Sequence, residues 1–104
     1  ENILAFTKLG KVSDITESSG SMYDLGDRWI GVFKVEGELH AIDDICSHAE
    51  AYLHEGVLDG CVIECDAHGA RFDIRTGKVE QGPAFMPIDT YQVRVVGDEF
   101  EVDL

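Results

Sequence analysis

Two short cysteine–histidine pairs constrain this chain more than any other feature. Cys46 and His48 are separated by one residue, and Cys65 and His68, which follow after sixteen further residues, are separated by two. Two thiolates and two imidazoles on two short loops form the ligand set of a metal centre. The pairs therefore predict a fold that brings two distant loops together, around either zinc or an iron–sulfur cluster with two histidine ligands.

The spacing within each pair favours the iron–sulfur cluster over zinc. Structural zinc sites typically place like ligands together, with about two to four residues between cysteines and about three to five between histidines. Each pair here mixes the two ligand types instead. A zinc site made of Cys46, Cys61, Cys65 and His68 would leave His48 without a role. A structural zinc-binding module stays an alternative on these grounds.

Short alternating segments separated by turn residues predict an all-β fold. With 104 residues, of which 44% are hydrophobic, the chain is long enough for one folded domain. Hairpin turns are expected at Glu36–Glu38 and Gly97–Asp98, where glycine supplies the positive φ of a tight turn. The predicted strands are Leu4–Lys8, Ser21–Leu25, Trp29–Val35, Leu39–Asp43, Cys61–Glu64, Tyr91–Val96 and Glu99–Val102.

The middle third of the chain differs from its two ends. Residues 44–87 hold both cysteine–histidine pairs and both prolines, and they show little continuous strand. We interpret them as a small cluster-binding subdomain. It is expected to be inserted into an antiparallel β-sandwich or barrel base formed by residues 1–43 and 88–104, so that residues 1–104 make a single domain.

The charge of the chain limits its partners. Acidic residues number 21 against 8 basic ones, for a formal charge of −13, which argues against nucleic-acid binding. The same charge suits either a well-solvated surface or steering toward a basic partner. No apolar run is long enough for a membrane helix, and no charged segment followed by an apolar one opens the chain. Three cysteines cannot all be paired in disulfides. Because no secretory signal is evident, the cysteine–histidine spacing predicts metal binding in the reducing cytoplasm.

A longer string of residues surrounds the two pairs. It consists of Cys46-Ser47-His48, Leu53-x-Glu55-Gly56, Cys65-x-x-His68-Gly69-Ala70-x-Phe72-Asp73, Thr76-Gly77-Lys78 and Gly82-Pro83-Ala84. This string resembles the Rieske [2Fe–2S] family, most closely the small ferredoxins that serve bacterial ring-hydroxylating dioxygenases. The similarity continues from about Trp29 to Pro87 and through the tail Tyr91–Leu104. The resemblance implies a Rieske-like all-β fold that holds one [2Fe–2S] cluster.

The resemblance also assigns the ligands. By this similarity, Cys46 and Cys65 ligate the inner iron, while His48 and His68 ligate the outer and more exposed iron. Replacing two thiolates of a four-cysteine cluster by neutral imidazoles makes the cluster less negative. The reduction potential therefore rises, into a family range of roughly −150 to +300 mV.

A second set of residues is expected to surround the cluster. Gly82, Pro83 and Ala84 correspond to the proline-containing loop that covers the cluster from a third side in the family. Glycine at positions 69 and 82 lets the backbone pass close to the sulfides, where N–H groups can hydrogen-bond to them. Pro83 stiffens that approach.

Four alanine and phenylalanine positions predict a low potential within the family range. High-potential respiratory Rieske proteins carry an extra cysteine in each loop, where this chain has Ala51 and Ala67. They also place hydroxyl groups near the cluster sulfurs, where this chain has Ala70 and Phe72. Fewer hydrogen bonds leave more negative charge on the sulfurs, so the cluster should be harder to reduce.

The function implied by the resemblance is that of a one-electron carrier and not of an enzyme. The chain would take an electron from a flavoprotein reductase and pass it to the Rieske centre of a terminal oxygenase. The exposed edges of His48 and His68 would be the exit for the electron. Docking to both proteins should be weak and sensitive to salt. The small subunit of an assimilatory nitrite reductase, which shares the Rieske-like fold, is the second alternative.

Other conspicuous residues are given structural roles. His54 is expected to be a surface histidine, and Arg71 and Arg75 are expected to form ion pairs with Asp73 or Glu55. The aromatic residues expected in the core are Trp29, Phe33 and Tyr91.

Overall fold

The structure, a computed structural model, describes residues 6–46, 51–66, 69–82 and 86–104. These stretches contain strands and two single-turn 3-10 helices, Val12–Asp14 and Leu53–Glu55, but no α-helix. The strands are β1 Phe6–Lys11, β2 Ser19–Asp24, β3 Trp29–Val35, β4 Glu38–Asp43, β5 Val57–Asp59, β6 Val62–Glu64, β7 Arg71–Asp73, β8 Val79–Gln81, β9 Thr90–Tyr91, β10 Val93–Val96 and β11 Glu99–Asp103. The all-β prediction is confirmed. Within the described stretches, no helix is long and apolar enough to cross a membrane.

Three antiparallel sheets make up the fold. The first has the order β1-β11-β10, the second β2-β3-β4-β9 and the third β5-β6-β7-β8. Strand β3 belongs to the second sheet, and its residues alternate between two apolar clusters. Ile30 and Val32 pack with Phe100 of the first sheet, whereas Phe33 packs with Phe72 of the third. The second sheet is thus covered on both faces, which explains the run of four buried apolar residues from Ile30 to Phe33 in β3.

Both predicted hairpins are present. Glu36 and Gly37, with φ of 52° and 79°, join β3 to β4, and two successive residues of positive φ match the twist of the strands they connect. Gly97, with φ of 66°, turns the chain between β10 and β11. The chain from β3 to β4 therefore follows the sequence prediction closely, and β3 has the predicted bounds.

The prediction of a single strand over Tyr91–Val96 is wrong. Thr90 and Tyr91 form β9 and pair with β4, whereas β10 starts at Val93 and pairs with β11. Between them, Gln92 leaves the second sheet, and its carbonyl accepts a hydrogen bond from Asp103 N–H of the first sheet at 2.9 Å. The strand breaks because the chain changes sheets at this residue.

The middle third contains more strand than the sequence predicts. Strands β5, β7 and β8 were not expected, and each is only three residues long. Together with β6 they form the whole third sheet, which is built from residues between 57 and 81. This sheet supports the loop that begins at Cys65.

The aromatic residues expected in the core divide into three environments. Phe33 is buried, as predicted. Trp29 is 36% exposed and packs edge-on against Tyr52, with the ring centroids 6.4 Å apart, so its placement in the core was wrong. Tyr91 is partly buried, and its hydroxyl donates a 2.7 Å hydrogen bond to Oδ1 of Asp43.

Candidate metal centre

The two cysteines of the sequence pairs begin two loops that close in the same way. Cys46 N–H donates to the carbonyl of Ala51 at 2.9 Å, and Cys65 N–H donates to the carbonyl of Ala70 at 2.7 Å. Each hydrogen bond spans the same number of residues, so the two loops that they close have equal size. His48 and His68, the predicted imidazole ligands, lie outside the described residues.

Both cysteines are buried in one apolar cluster. Cys46 is 3% exposed and Cys65 is 1% exposed, and the same cluster contains Ile42, Leu53 and Phe72. None of the three cysteines of the chain, all of which are described, forms a disulfide. The fold therefore brings together, away from water, the two predicted thiolate ligands from loops far apart in sequence. This arrangement fits a cluster iron held by two thiolates.

The second loop is the tip of a regular hairpin. Below Cys65 and Ala70, strands β6 and β7 pair Glu64 with Arg71 and Ile63 with Phe72. The Arg71 guanidinium contacts Oε1 of Glu64 at 2.9 Å, across the two strands. The expected pairing of Arg71 with Glu55 or Asp73 is therefore wrong. Glu64 is the cross-strand neighbour on a hairpin that was not predicted.

The expected ion pair between Arg75 and Asp73 is confirmed. Nε and Nη2 of Arg75 donate to the two carboxylate oxygens of Asp73 at 3.1 and 2.9 Å, and the backbone N–H of Arg75 donates at 2.8 Å. These hydrogen bonds lower the pKa of Asp73 below its usual value. They fix the turn that follows β7.

The first loop rests on a buried carboxylate rather than on a sheet. Ile45 and Tyr52 form an isolated antiparallel bridge below the loop. One residue further down, Asp44 is fully buried, and its carboxylate accepts the His54 backbone N–H at 2.8 Å and lies 2.5 Å from His54 Nδ1. Burial raises the pKa of Asp44, while the hydrogen bonds from His54 oppose that rise.

The prediction that His54 is a surface residue is wrong. Its side chain is only 22% exposed and forms the ion pair with Asp44. Sequence reasoning missed Asp44 altogether, because it directly follows a predicted strand and no motif marks it. Gly31 on β3 makes room for this carboxylate, since a Cβ at position 31 would lie 2.5 Å from Oδ1 of Asp44.

Two glycines of the sequence string permit close backbone contacts. A Cβ on Gly56 would lie 2.0 Å from the carbonyl oxygen of Glu64, so glycine lets the chain after the first loop touch the strand that leads into Cys65. A Cβ on Gly77 would lie 2.0 Å from the carbonyl oxygen of Ile88. Gly77 also has φ of +80°. Glycine at these two positions lets two backbone segments approach each other closely.

Gly69 has a different role from the expected one. Its N–H donates to the carbonyl of Cys65 at 3.0 Å, within the second loop, and so is engaged there rather than held for a cluster sulfide. Its φ of +77° is what requires glycine at this position. Gly82 lies on the surface just after β8. Pro83 and Ala84 lie outside the described residues.

The other residues expected beside the [2Fe–2S] cluster have apolar side chains. Ala70 and Phe72 are fully buried in the apolar cluster that contains both cysteines, and Ala51 packs against that apolar cluster. None of these three side chains carries a hydrogen-bond donor. Ala67, the fourth position, lies outside the described residues. Among the residues that the structure describes, no three Cys, His, Asp or Glu side chains gather into a metal site.

Comparison with known proteins shows the family of the chain. Residues 5–92 match the family model of the Rieske [2Fe-2S] domain. The chain is 40% identical over 101 residues to the ferredoxin component of biphenyl 2,3-dioxygenase from Rhodococcus jostii (strain RHA1), covering 97% of this chain and 94% of that protein.

Solved structures agree with this match. The ferredoxin of Sphingomonas yanoikuyae B1 superposes with a TM-score of 0.90 at 32% identity, covering 96% of this chain and 99% of that one. A chain from the complex of reduced oxygenase and oxidized ferredoxin in carbazole 1,9a-dioxygenase gives a TM-score of 0.88 at 32% identity, covering 94% of this chain and 92% of that one.

Proposed function

Because the chain belongs to the Rieske [2Fe-2S] domain family, we propose that it carries single electrons within an aromatic-ring dioxygenase system. It holds one [2Fe–2S] cluster, and it is a ferredoxin and not an enzyme, as its relative at 40% identity is a ferredoxin component. The observation that carries the proposal is the pair of buried cysteines on two loops of equal size, within the residues that match the family.

The ligand set of the cluster is part of the proposal. Cys46 and Cys65 hold the inner iron, and His48 and His68 hold the outer iron. When bound, the cluster supplies one-electron oxidation and reduction in the range typical of histidine-ligated [2Fe–2S] centres. The burial of both cysteines in the apolar cluster supports their half of the assignment, because it excludes water from the thiolates.

We also propose that residues 44–87 act as a cluster-binding subdomain on a base made of residues 1–43 and 88–104. In support, the third sheet comes entirely from the middle of the chain. The apolar cluster that contains Phe72 joins this sheet to Phe33 and Ile42 of the second sheet. The base thereby presents the two ligand loops together at one place in the fold.

The partners in this proposal are a flavoprotein reductase, as electron donor, and a terminal Rieske oxygenase, as acceptor. The solved complex of oxygenase and ferredoxin in carbazole 1,9a-dioxygenase supports the acceptor. The imidazole edges of His48 and His68 provide the exit for the electron, and the formal charge of −13 suits steering to basic surfaces. The compartment we propose is the cytoplasm, where thiolate ligands stay reduced.

The cluster is proposed to have a low reduction potential for its family. Ala70 and Phe72 are fully buried beside both cysteines and offer no hydroxyl to a cluster sulfur. Ala51 packs against the same apolar cluster and, because it has no thiol, cannot form a disulfide. With fewer donors around the sulfurs, the extra electron is less stabilised.

The two alternatives have less support. The relative at 40% identity is a ferredoxin component, which favours the ferredoxin over the small subunit of a nitrite reductase. The match to a [2Fe-2S] domain favours iron over a structural zinc site.

Rapid mixing with the oxygenase tests the proposed function. The purified protein should be red-brown and, when reduced, should give a rhombic EPR signal. Mixed with an oxidised terminal oxygenase, the reduced protein should regain the visible absorption of its oxidised form as the oxygenase is reduced. A second mixing, with a flavoprotein reductase and NADH, should reduce it again. A colourless protein with stoichiometric zinc would contradict the proposal.

A further inference from the structure

The two ligand loops have equal size but unequal support. The loop after Cys65 stands on strands β6 and β7, which are part of a four-stranded sheet. The loop after Cys46 stands on one isolated bridge, between Ile45 and Tyr52, and the chain on its far side turns at once into the 3-10 helix Leu53–Glu55. A backbone ladder this short holds a loop weakly, so other contacts must fix it.

Asp44 provides those contacts from directly below the bridge. Its backbone N–H donates to the carbonyl of Trp29 at 2.9 Å, and its own carbonyl accepts Leu53 N–H at 2.6 Å. Its carboxylate accepts the backbone N–H of His54 at 2.8 Å and meets Nδ1 of the same residue at 2.5 Å. One residue thus ties both sides of the first loop to each other and to β3.

The burial of this pair indicates a specific role. Asp44 is fully buried, and Gly31 is needed on β3 to leave space for it. A buried carboxylate is costly unless its hydrogen bonds are made, and an apolar side chain would fill the same space at less cost. By contrast, the ion pair at the base of the second loop is exposed, with Arg71 at 44% and Glu64 at 38%.

We propose that Asp44 and His54 form a clamp that positions the first ligand loop, and with it Cys46, for the cluster. This inference rests on the proposed function, because it takes Cys46 as a ligand. His54 acts through Asp44 and is a positioning residue. The Nδ1 donor matters because it forms the hydrogen bond to Oδ2 of Asp44. This bond holds the Asp44 carboxylate against the part of the chain that follows the first ligand loop.

The test is a set of substitutions at His54 that move or remove this donor. In His54→Asn the amide nitrogen occupies the place of Nδ1 and can donate to Asp44, in His54→Gln the amide lies one atom further out, and in His54→Leu no donor remains. Arg71→Leu is the matched control at the second loop. Each cluster-loaded protein is mixed with an excess of a ferric-iron chelator, and the bleaching of its visible absorption is timed.

The clamp predicts an order of cluster loss. His54→Leu should bleach at least about tenfold faster than wild type, because a buried charged acceptor loses its partner, while His54→Asn should stay within about threefold. His54→Gln should fall between them. Arg71→Leu should stay within about fivefold of wild type, since exposed ion pairs contribute little. The rhombic EPR signal of the reduced protein should move in His54→Leu and return in His54→Asn.

Equal bleaching rates for the Asn, Gln and Leu variants would overturn the clamp, and so would a loss as large in Arg71→Leu as in His54→Leu. If His54→Leu does not fold, the comparison of Asn with Gln decides: equal rates overturn the clamp, and slower bleaching of Asn supports it. Failure of the proposed function is visible separately, as a wild-type protein without a [2Fe–2S] spectrum, and it would overturn the clamp with it.

Discussion

Among single residues, we expect Ala70 to keep the reduction potential low, because its side chain carries no hydroxyl group. It is fully buried in the same apolar cluster as both cysteines, and the resemblance to the family matches it to a position that carries a hydroxyl in high-potential members. A hydroxyl there would donate to a cluster sulfur and stabilise the added electron. Ala70→Ser should therefore raise the reduction potential by tens of millivolts, as measured by a redox titration followed through the visible absorption.

The control for this substitution is Ala41→Ser. Ala41 is equally small and only 2% exposed, but it belongs to the other apolar cluster, with Ile30 and Phe100. Its replacement should leave the potential unchanged. A potential that does not rise in Ala70→Ser, or that rises equally in Ala41→Ser, would contradict the role given to Ala70.

Tyr91 predicts a loss of stability in alkaline solution. Burial and the hydrogen bond to Asp43 raise its pKa from about 10 to about 12. Between these values the folded protein keeps a proton that the unfolded chain has lost, so the free energy of unfolding falls as pH rises above about 10. The loss should be about 1 to 2 kcal/mol after screening by solvent.

Urea unfolding at a series of alkaline pH values measures this loss. Tyr91→Phe has no proton to lose at this position, so its urea midpoint should fall less steeply than that of the wild type. Tyr23, whose pKa burial also raises, keeps part of the effect in both proteins. Identical slopes in the two proteins would contradict the assignment to Tyr91.

Residue patterns in the sequence single out the two cysteines that the fold buries together, and they miss the polar partners. Cys46 and Cys65 stand in a motif of fixed spacing, and both are buried together as expected. Asp44 and His54 are ten residues apart, with no motif that links them, and only the folded loop brings them together. Trp29 belongs to an apolar strand by pattern, yet it lies at the start of the strand, where its ring reaches the surface.

At the scale of elements, Gly56 controls how closely the two ligand loops approach. Its φ of −80° is open to any residue, but a Cβ would lie 2.0 Å from the carbonyl oxygen of Glu64, just before Cys65. Gly56→Ala should lower the free energy of unfolding by about 3 kcal/mol, since the backbone of β6 has to move. The cluster content of the purified protein should fall as well.

Gly60→Ala provides the comparison within the same sheet. Gly60 has φ of +61° and no atom within 4 Å of the added Cβ, so the substitution should cost only the strain of a left-handed alanine, about 1 kcal/mol. Its cluster content should equal that of the wild type. Equal effects at the two glycines would show that close approach at Gly56 is unimportant.

Elements of ordinary length are predictable from this sequence, and most short ones are not, although β6, predicted as Cys61–Glu64, is present as Val62–Glu64. β3 has seven residues and a hairpin turn after it, and its bounds are as predicted. β5, β7 and β8 have three residues each, too few to show an alternation. β9 and β10 read as one strand, because nothing in the local pattern shows that Gln92 passes from one sheet to another.

At the scale of the whole molecule, acidic charge dominates the surface. Five basic side chains, Lys8, Arg28, Arg71, Arg75 and Arg94, each pair with an acidic neighbour. Most of the positive charge is therefore balanced locally, and the formal charge of −13 remains as an excess of carboxylates. A field of this kind acts on the encounter with a partner more than on the fold.

This excess predicts a strong effect of salt on electron transfer. The second-order rate constant for reduction of a terminal oxygenase should fall steeply as ionic strength rises, because the screening length shortens to about 10 Å at 0.1 M. Stopped-flow mixing measures this rate. A small uncharged oxidant is the control, and its rate should hardly change. A rate with the oxygenase that is independent of salt would contradict electrostatic steering.

The EPR spectrum of the reduced protein in its histidine variants tests the proposed cluster and its ligands. The chain has four histidines, of which His48 and His68 are assigned as ligands and His40 serves as a control. Wild type and His40→Ala should both give the rhombic signal of a histidine-ligated [2Fe–2S] cluster, and His48→Ala and His68→Ala should each lose it. An unchanged signal in His48→Ala or His68→Ala would contradict the proposal that the replaced histidine is a ligand of the cluster.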